Sequence, residues 1–125
     1  MKNVYIKYMK TIKLENYEIY NGDLALSKFT ENFHIINTIN PHSYCIAEKD
    51  ELFRKALIES DILLPDGTGI VWAIKFIKGE RIKRITGADL HEFFLRKANQ
   101  EGQPVFYMGS SEETLYKINK KIKNE

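Results

Sequence analysis

Two short apolar runs in this chain stop against helix-opening chemistry, and that constrains its fold more than any other feature. Phe33-His34-Ile35-Ile36-Asn37-Thr38 runs into Asn40-Pro41, and Asp61-Ile62-Leu63-Leu64 runs into Pro65-Asp66-Gly67. Both are strand-length and bounded by turn residues, as expected of strands buried within a sheet. Proline has a fixed φ and no N–H, so it suits the first position of a helix; Asn40 then becomes the N-cap and Pro41 the opening residue. Strands that alternate with helices imply an α/β domain with a Rossmann-like sheet, its central strands parallel and flanked by helices.

The rest of the chain extends that pattern. Alternation over residues 4–14 and 17–20 around Glu15-Asn16 predicts a hairpin, and Asp23 is placed to cap a short helix from Leu24 to about Phe29. A helix is expected from Pro41 to about Glu48. Asp50 caps another, with Leu52, Phe53, Ala56, Leu57 and Ile58 on one side. Residues 68–78 are apolar on most sides, which predicts a helix covered by other elements and ended by Gly79. Thr86-Gly87-Ala88-Asp89 opens a helix that closes at Glu101-Gly102, and residues 104–109 read as a further strand. Ser110 and Glu113 have capping-box spacing before a lysine-rich last helix. With no repeat or linker in view, residues 1–125 are expected to form a single domain, 1–32 being the hairpin and short helix and 33–125 the α/β part.

Composition narrows the class. At 125 residues, 43% apolar and 29% charged, the chain is neither a disordered tail nor a disulfide miniature. Cys45 is the only cysteine, so there is no internal disulfide and no thiol cluster for a metal; a reducing, cytoplasmic setting is expected. His34, His42 and His91 lack metal-ligand spacing. The longest apolar stretches, such as residues 70–74, fall well short of the roughly 18 residues a spanning helix needs, and lysines interrupt any leader-like core at the start. Net charge is only +2, yet Lys75, Lys78, Arg81, Lys83 and Arg84 cluster against the single acid Glu80, and Lys117, Lys120, Lys121 and Lys123 crowd the last turns. Such patches suggest an anionic partner. Nucleic acid is the weakest candidate, because no aromatic interleaving or known binding motif accompanies the charge.

In an open parallel sheet, ligands bind beyond the carboxyl ends of the strands, near helix N-termini whose free amides suit phosphate. Asp66 is therefore the leading candidate for a general base, although Asp-Gly is also a common turn and Asp a common cap. A helix dipole beside it would lower its basicity. Asn37, Thr38 and Asn40 offer groups for sugar hydroxyls or a diphosphate, with capping an equal explanation of Asn40. Arg81, Lys83 and Arg84 could neutralise a diphosphate or simply form a solvated face. Gly109-Ser110-Ser111 could receive phosphate, but it lacks P-loop spacing.

Four strings in order, Asn37-Thr38-Ile39-Asn40-Pro41, Leu63-Leu64-Pro65-Asp66-Gly67-Thr68-Gly69, Arg84-Ile85-Thr86-Gly87-Ala88-Asp89-Leu90 and Val105-Phe106-Tyr107-Met108-Gly109, resemble the WecG/TagA/CpsF glycosyltransferase family. The resemblance implies an inverting transfer of a sugar, N-acetylmannosamine or a related hexose, from a UDP-sugar to a polyprenyl-diphosphate-linked acceptor in cell-surface polysaccharide or teichoic acid synthesis. It puts the base on Asp66, active-site positions on Thr38, Asn40 and Arg84, and motif positions on Gly67, Gly87 and Asp89. Gly109 and Ser110 become candidates for the departing diphosphate. No metal or other cofactor is implied; the partners are the donor, the lipid-linked acceptor and the inner face of the cell membrane, where the protein would be peripheral, with a homo-oligomer possible. Family chains continue past this point, so the resemblance also implies an N-terminal portion, truncated before the C-terminal strands. A non-catalytic or degenerate nucleotide- or anion-binding module is the alternative.

Overall fold

The computed structural model describes residues 9–24, 29 and 33–123. The start of the expected first strand, residues 4–8, and most of the expected short helix, residues 25–28, lie outside the described residues.

Strands β1 (Thr11–Leu14) and β2 (Tyr17–Tyr20) form the expected hairpin, with Leu14 opposite Tyr17 and Thr11 opposite Tyr20. Strands β3 (Ile36–Ile39) and β4 (Ile62–Pro65) complete a four-stranded sheet in the order β1-β2-β4-β3. β4 is flanked on both sides, pairing in parallel with β2 through Ile19 and Leu63 and with β3 from Ile36 and Ile62 to Ile39 and Pro65. The crossover from β3 to β4 is made by helices α1 (Pro41–Ala47) and α2 (Glu51–Ile58), and α3 (Thr68–Lys78) leaves the end of β4. Helices α4 (Gly87–Glu101) and α5 (Glu112–Lys123) follow. The chain divides into two compact units, Met1–Phe93 and Phe94–Glu125.

Within the first unit the side chains alternate across the sheet with the period of two that a pleat demands. Ile12, Leu14, Tyr17, Ile19, Ile39 and Leu63 join one cluster with Ala47, Leu57, Ile70 and Ile74 of the three helices α1 to α3. Tyr20, Ile62 and Leu64 point the other way, into a cluster with Leu24, Ile85, Leu90 and Phe93. The sheet is thus covered on both faces. Fully buried residues such as Ile39, Leu64 and Ile74 each contribute on the order of 1.5–3 kcal/mol. The hairpin is tied to α1 by the Tyr44 hydroxyl, which donates to the Glu15 carboxylate at 2.6 Å and is pushed up to about 12 by that bond.

Four expectations need correction. β3 begins at Ile36, not Phe33, because it can pair only along β4; before that the Ile35 N–H donates to the Asp61 carboxylate at 2.9 Å. β4 runs on through Pro65, whose missing N–H is not needed there, while its carbonyl accepts from the Ile85 N–H at 3.0 Å. Residues 104–109 form no strand: none of them is in a sheet ladder among the described residues, and Phe106 and Met108 are 87% and 90% exposed. Finally, α3 is covered on one side only, with Trp72 and Phe76 outward.

Candidate active site at the strand ends

Because β2, β3 and β4 are parallel, their carboxyl ends share one end of the sheet. There the Asp66 N–H donates to the Ile39 carbonyl at 2.9 Å, which sets Asp66 beside Asn40. Asn40 is still extended, at φ −131° and ψ 171°, so it continues the alternation that puts Thr38 on the Leu64 face. The sheet therefore brings Thr38, Asn40 and Asp66 to one strand end. Thr38 and Asp66 are both half-buried. Among the described residues, neither side chain has a hydrogen bond or ion pair.

The turn after Asp66 is shaped by glycine. Gly67 takes φ 98° and ψ 150°, a conformation open to glycine and strained for other residues, and it lets the chain reverse straight into α3. Gly69 answers a different need: a Cβ there would lie 2.4 Å from the Pro41 Cγ. The first turns of α1 and α3 thus pack against each other without a side chain between them. No side chain caps α3, so its first N–H groups, and the positive end of its dipole, are left beside the Asp66 backbone. The motif strings include both glycines beside Asp66, but only Gly67 among the site positions. A glycine inside the first turn of a helix was the signal, since it is disfavoured there unless something approaches closely.

Two predicted site residues serve as caps. The Asn40 Oδ1 accepts from the Ser43 N–H at 2.8 Å, while the Ser43 hydroxyl accepts from the Asn40 N–H at 2.9 Å, a capping box that opens α1. Asn40 can offer a ligand only what that bond leaves over, chiefly its Nδ2. Asp89 closes the equivalent box on α4, accepting from the Thr86 N–H and hydroxyl, both at 2.7 Å. Those bonds hold its carboxyl below the usual range, with Arg84 and Lys83 adding to the effect. The box also makes Thr86 the residue that fixes the end of the preceding basic segment.

Arg84 is exposed, and the neighbouring Ile85 N–H on the Pro65 carbonyl anchors its backbone next to the end of β4. The guanidinium makes no hydrogen bond or ion pair among the described residues. Gly109 and Ser110, with φ 111° and 65°, form an exposed turn in the second unit. The cap that follows is Ser111, not Ser110, its hydroxyl accepting from the Thr114 N–H at 3.3 Å. A cavity of about 790 Å³ in that unit is lined by Leu95, Arg96, Asn99, Gln103 and Tyr107 among others, and by none of the predicted site residues. Among the described residues, no group of three or more His, Cys, Asp or Glu side chains could hold a metal ion, and no helix is long and apolar enough to cross a membrane.

Comparison with known proteins supplies the context. Residues 15–125 match the model of the family described as "Glycosyl transferase WecG/TagA/CpsF family". An N-acetylglucosaminyldiphosphoundecaprenol N-acetyl-beta-D-mannosaminyltransferase of Bacillus subtilis (strain 168) is 30% identical over 125 residues, 94% of this chain and 49% of the relative. A protein of the same name from Bacillus spizizenii (strain ATCC 23059 / NRRL B-14472 / W23) is 31% identical over 90 residues, covering 72% of this chain and 35% of the relative. The chain thus spans about half or less of the length of these two relatives. No solved structure matches it.

Proposed function

Because the chain belongs to the WecG/TagA/CpsF glycosyltransferase family, we propose that it carries the acceptor-activating part of an enzyme that transfers a sugar from UDP to a polyprenyl-diphosphate-linked sugar, with inversion. N-acetylmannosamine as the sugar and an undecaprenyl-diphosphate-linked N-acetylglucosamine as the acceptor are carried over from the names of the relatives. The observation that supports this most directly is the Asp66 carboxylate: half-buried, without a partner among the described residues, and fixed where β4 turns into α3.

In this reading the Asp66 carboxylate accepts the proton of the acceptor hydroxyl as that oxygen forms its bond to the anomeric carbon. The bond from that carbon to the UDP oxygen breaks on the opposite face. Thr38 and the free amide of Asn40 orient the sugar, and Arg84 with the open N–H groups of α3 meets the charge that develops on the diphosphate. An acceptor held in a bilayer makes the protein peripheral at the membrane surface.

The test is transfer to a lipid-diphosphate acceptor by the protein that contains this chain, with Asp66→Asn as the variant. A loss on the order of 10²–10⁴-fold in kcat with the fold retained is expected for a general base. Undiminished turnover removes Asp66 from the mechanism. Since charge neutralisation is assigned to Arg84 and backbone amides, turnover should also survive EDTA; its loss, restored by a divalent cation, would reassign that role to a metal.

The uncapped N-terminus of α3 also favours a second reading, a non-catalytic anion-binding module. UDP binding that persists in a protein without transfer would select it.

A further inference from the structure

Arg84 lies on a segment that changes faces of the sheet. Ile82 is buried with Ile70 and Ile74 of α3 in the first cluster, while Ile85 is buried with Ile62 and Leu64 in the second, on the opposite face. The chain therefore crosses within three residues, and Lys83 and Arg84 make the crossing. Residues 81–84 form no hydrogen bond of their own among the described residues. What holds the backbone of Arg84 comes after it. The Ile85 N–H, which belongs to the same peptide unit as the Arg84 carbonyl, donates to the Pro65 carbonyl at the end of β4 at 3.0 Å. The next N–H, that of Thr86, donates to the Asp89 carboxylate at 2.7 Å. The Thr86 hydroxyl donates to the same oxygen at 2.7 Å and accepts from the Asp89 N–H at 3.1 Å. Two successive peptide groups are thus tied, one to the sheet and one to the first turn of α4, with the buried Ile85 side chain between them.

We propose that Asp89 is a positioning residue for Arg84: its carboxylate, touching no substrate, holds Thr86 so that the Arg84–Ile85 peptide stays on β4 and Arg84 stays at the strand-end site. The inference rests on the reading in which Arg84 meets the charge of the diphosphate, and extends it to the residue that keeps Arg84 in place. Capping alone does not call for the carboxylate. The N-cap bond of α4 runs from the Asp89 N–H to the Thr86 hydroxyl, and what the carboxylate adds is a hold on the Thr86 N–H, the group that continues the Arg84 segment. An arginine on an untethered segment gives up backbone freedom when it binds an anion; tethers made in the folded chain remove that cost before the ligand arrives. A charged acceptor suits the task, because its hydrogen bonds are roughly twice as strong as those of a neutral one. Arg84 itself makes no ion pair with Asp89 among the described residues, so its guanidinium is left to a ligand.

Double-variant kinetics on the protein that contains this chain separate positioning from capping. Asp89→Ala should lower kcat on the order of 10- to 100-fold at a temperature where the variant is folded, and that effect should vanish in an Arg84→Ala background. Asp89→Glu, which keeps a capping box, should retain most of the activity. UDP affinity needs no transfer, and Arg84→Ala and Asp89→Ala should each weaken it, again without adding. Asp89→Asn keeps the shape but not the charge, and gives the same pattern at smaller amplitude should the alanine variant not fold. Three results would overturn the proposal. A lowered melting temperature with kcat unchanged would reduce Asp89 to a helix cap. Losses that multiply in the double variant would show Asp89 acting apart from Arg84. An Arg84→Ala variant with full turnover and full UDP affinity would remove the reading beneath the proposal as well, so the two failures are told apart.

Discussion

Gly69 and Gly87 are both glycines in the first turn of a helix, yet their surroundings predict opposite responses to the same substitution. The Cβ of Gly69→Ala would lie 2.4 Å from Pro41 Cγ, a ring atom that cannot swing aside, so α1 or α3 has to shift. Alanine's better helix propensity returns about 1 kcal/mol, while overpacking costs about 1–3 kcal/mol, so a net loss of up to about 2 kcal/mol is expected. Gly87→Ala meets nothing within 4 Å and should be neutral or stabilising by up to about 1 kcal/mol. Gly67→Ala has room, but its φ of 98° with ψ 150° imposes a strain of about 1–3 kcal/mol. Urea midpoints of the three variants check the order; a Gly69→Ala midpoint at the parent value would show that the α1–α3 contact is loose. The Asp66-Gly67 turn is legible in sequence because the turn chemistry is local. The reason for Gly69 is not, since it depends on Pro41, a residue the fold brings there from the far end of a crossover.

At the scale of elements, the best-read features are those whose signals lie within a few residues. Asn40, Asp50 and Thr86 cap the helices they were expected to open, and Gly79 and Gly102 end theirs with φ 70° and 65°. Ser110 lost the cap of α5 to its neighbour Ser111 because adjacent serines offer the same chemistry and only the backbone path separates them. The α4 box also makes a pH prediction. Asp89 has its carboxyl lowered from 3.8 by bonds from Thr86 that exist only in the folded chain. A depressed native pKa means stability that is fully present above the unfolded value and is lost as pH falls through the folded one. Thermal unfolding of the parent should therefore lose stability more steeply below about pH 4 than that of Asp89→Asn, in which the amide no longer titrates. Parallel curves for the two proteins would show that the box contributes nothing to acid stability. Residues 104–109 show where such local reading ends. Their apolar pattern suits a strand, but a strand needs a place in a sheet, and the four-stranded sheet does not include them.

Over the whole molecule, burial is concentrated in the first unit. β4 is paired on both sides and buried along its length, and Ile19, Ile39, Leu64 and Ile74 form the interior around it, whereas α4 and α5 contain no fully buried residue. The order β1-β2-β4-β3 could not be read from the sequence, since neighbours in a sheet are selected by packing between distant segments, although the parallel direction of β3 and β4 followed from the helices between them. Local opening free energy scales with buried apolar contact and paired backbone, so amide exchange should divide along the same line. Peptides spanning β2, β3, β4 and the inner side of α3 should exchange most slowly, and those covering residues 103–110 and α5 fastest. Mass spectrometry over a series of exchange times measures this directly. Uniform slow exchange in both units would overturn the gradient. Protection confined to residues 105–108 that rises with protein concentration would place the exposed Phe106 and Met108 in a contact between two copies.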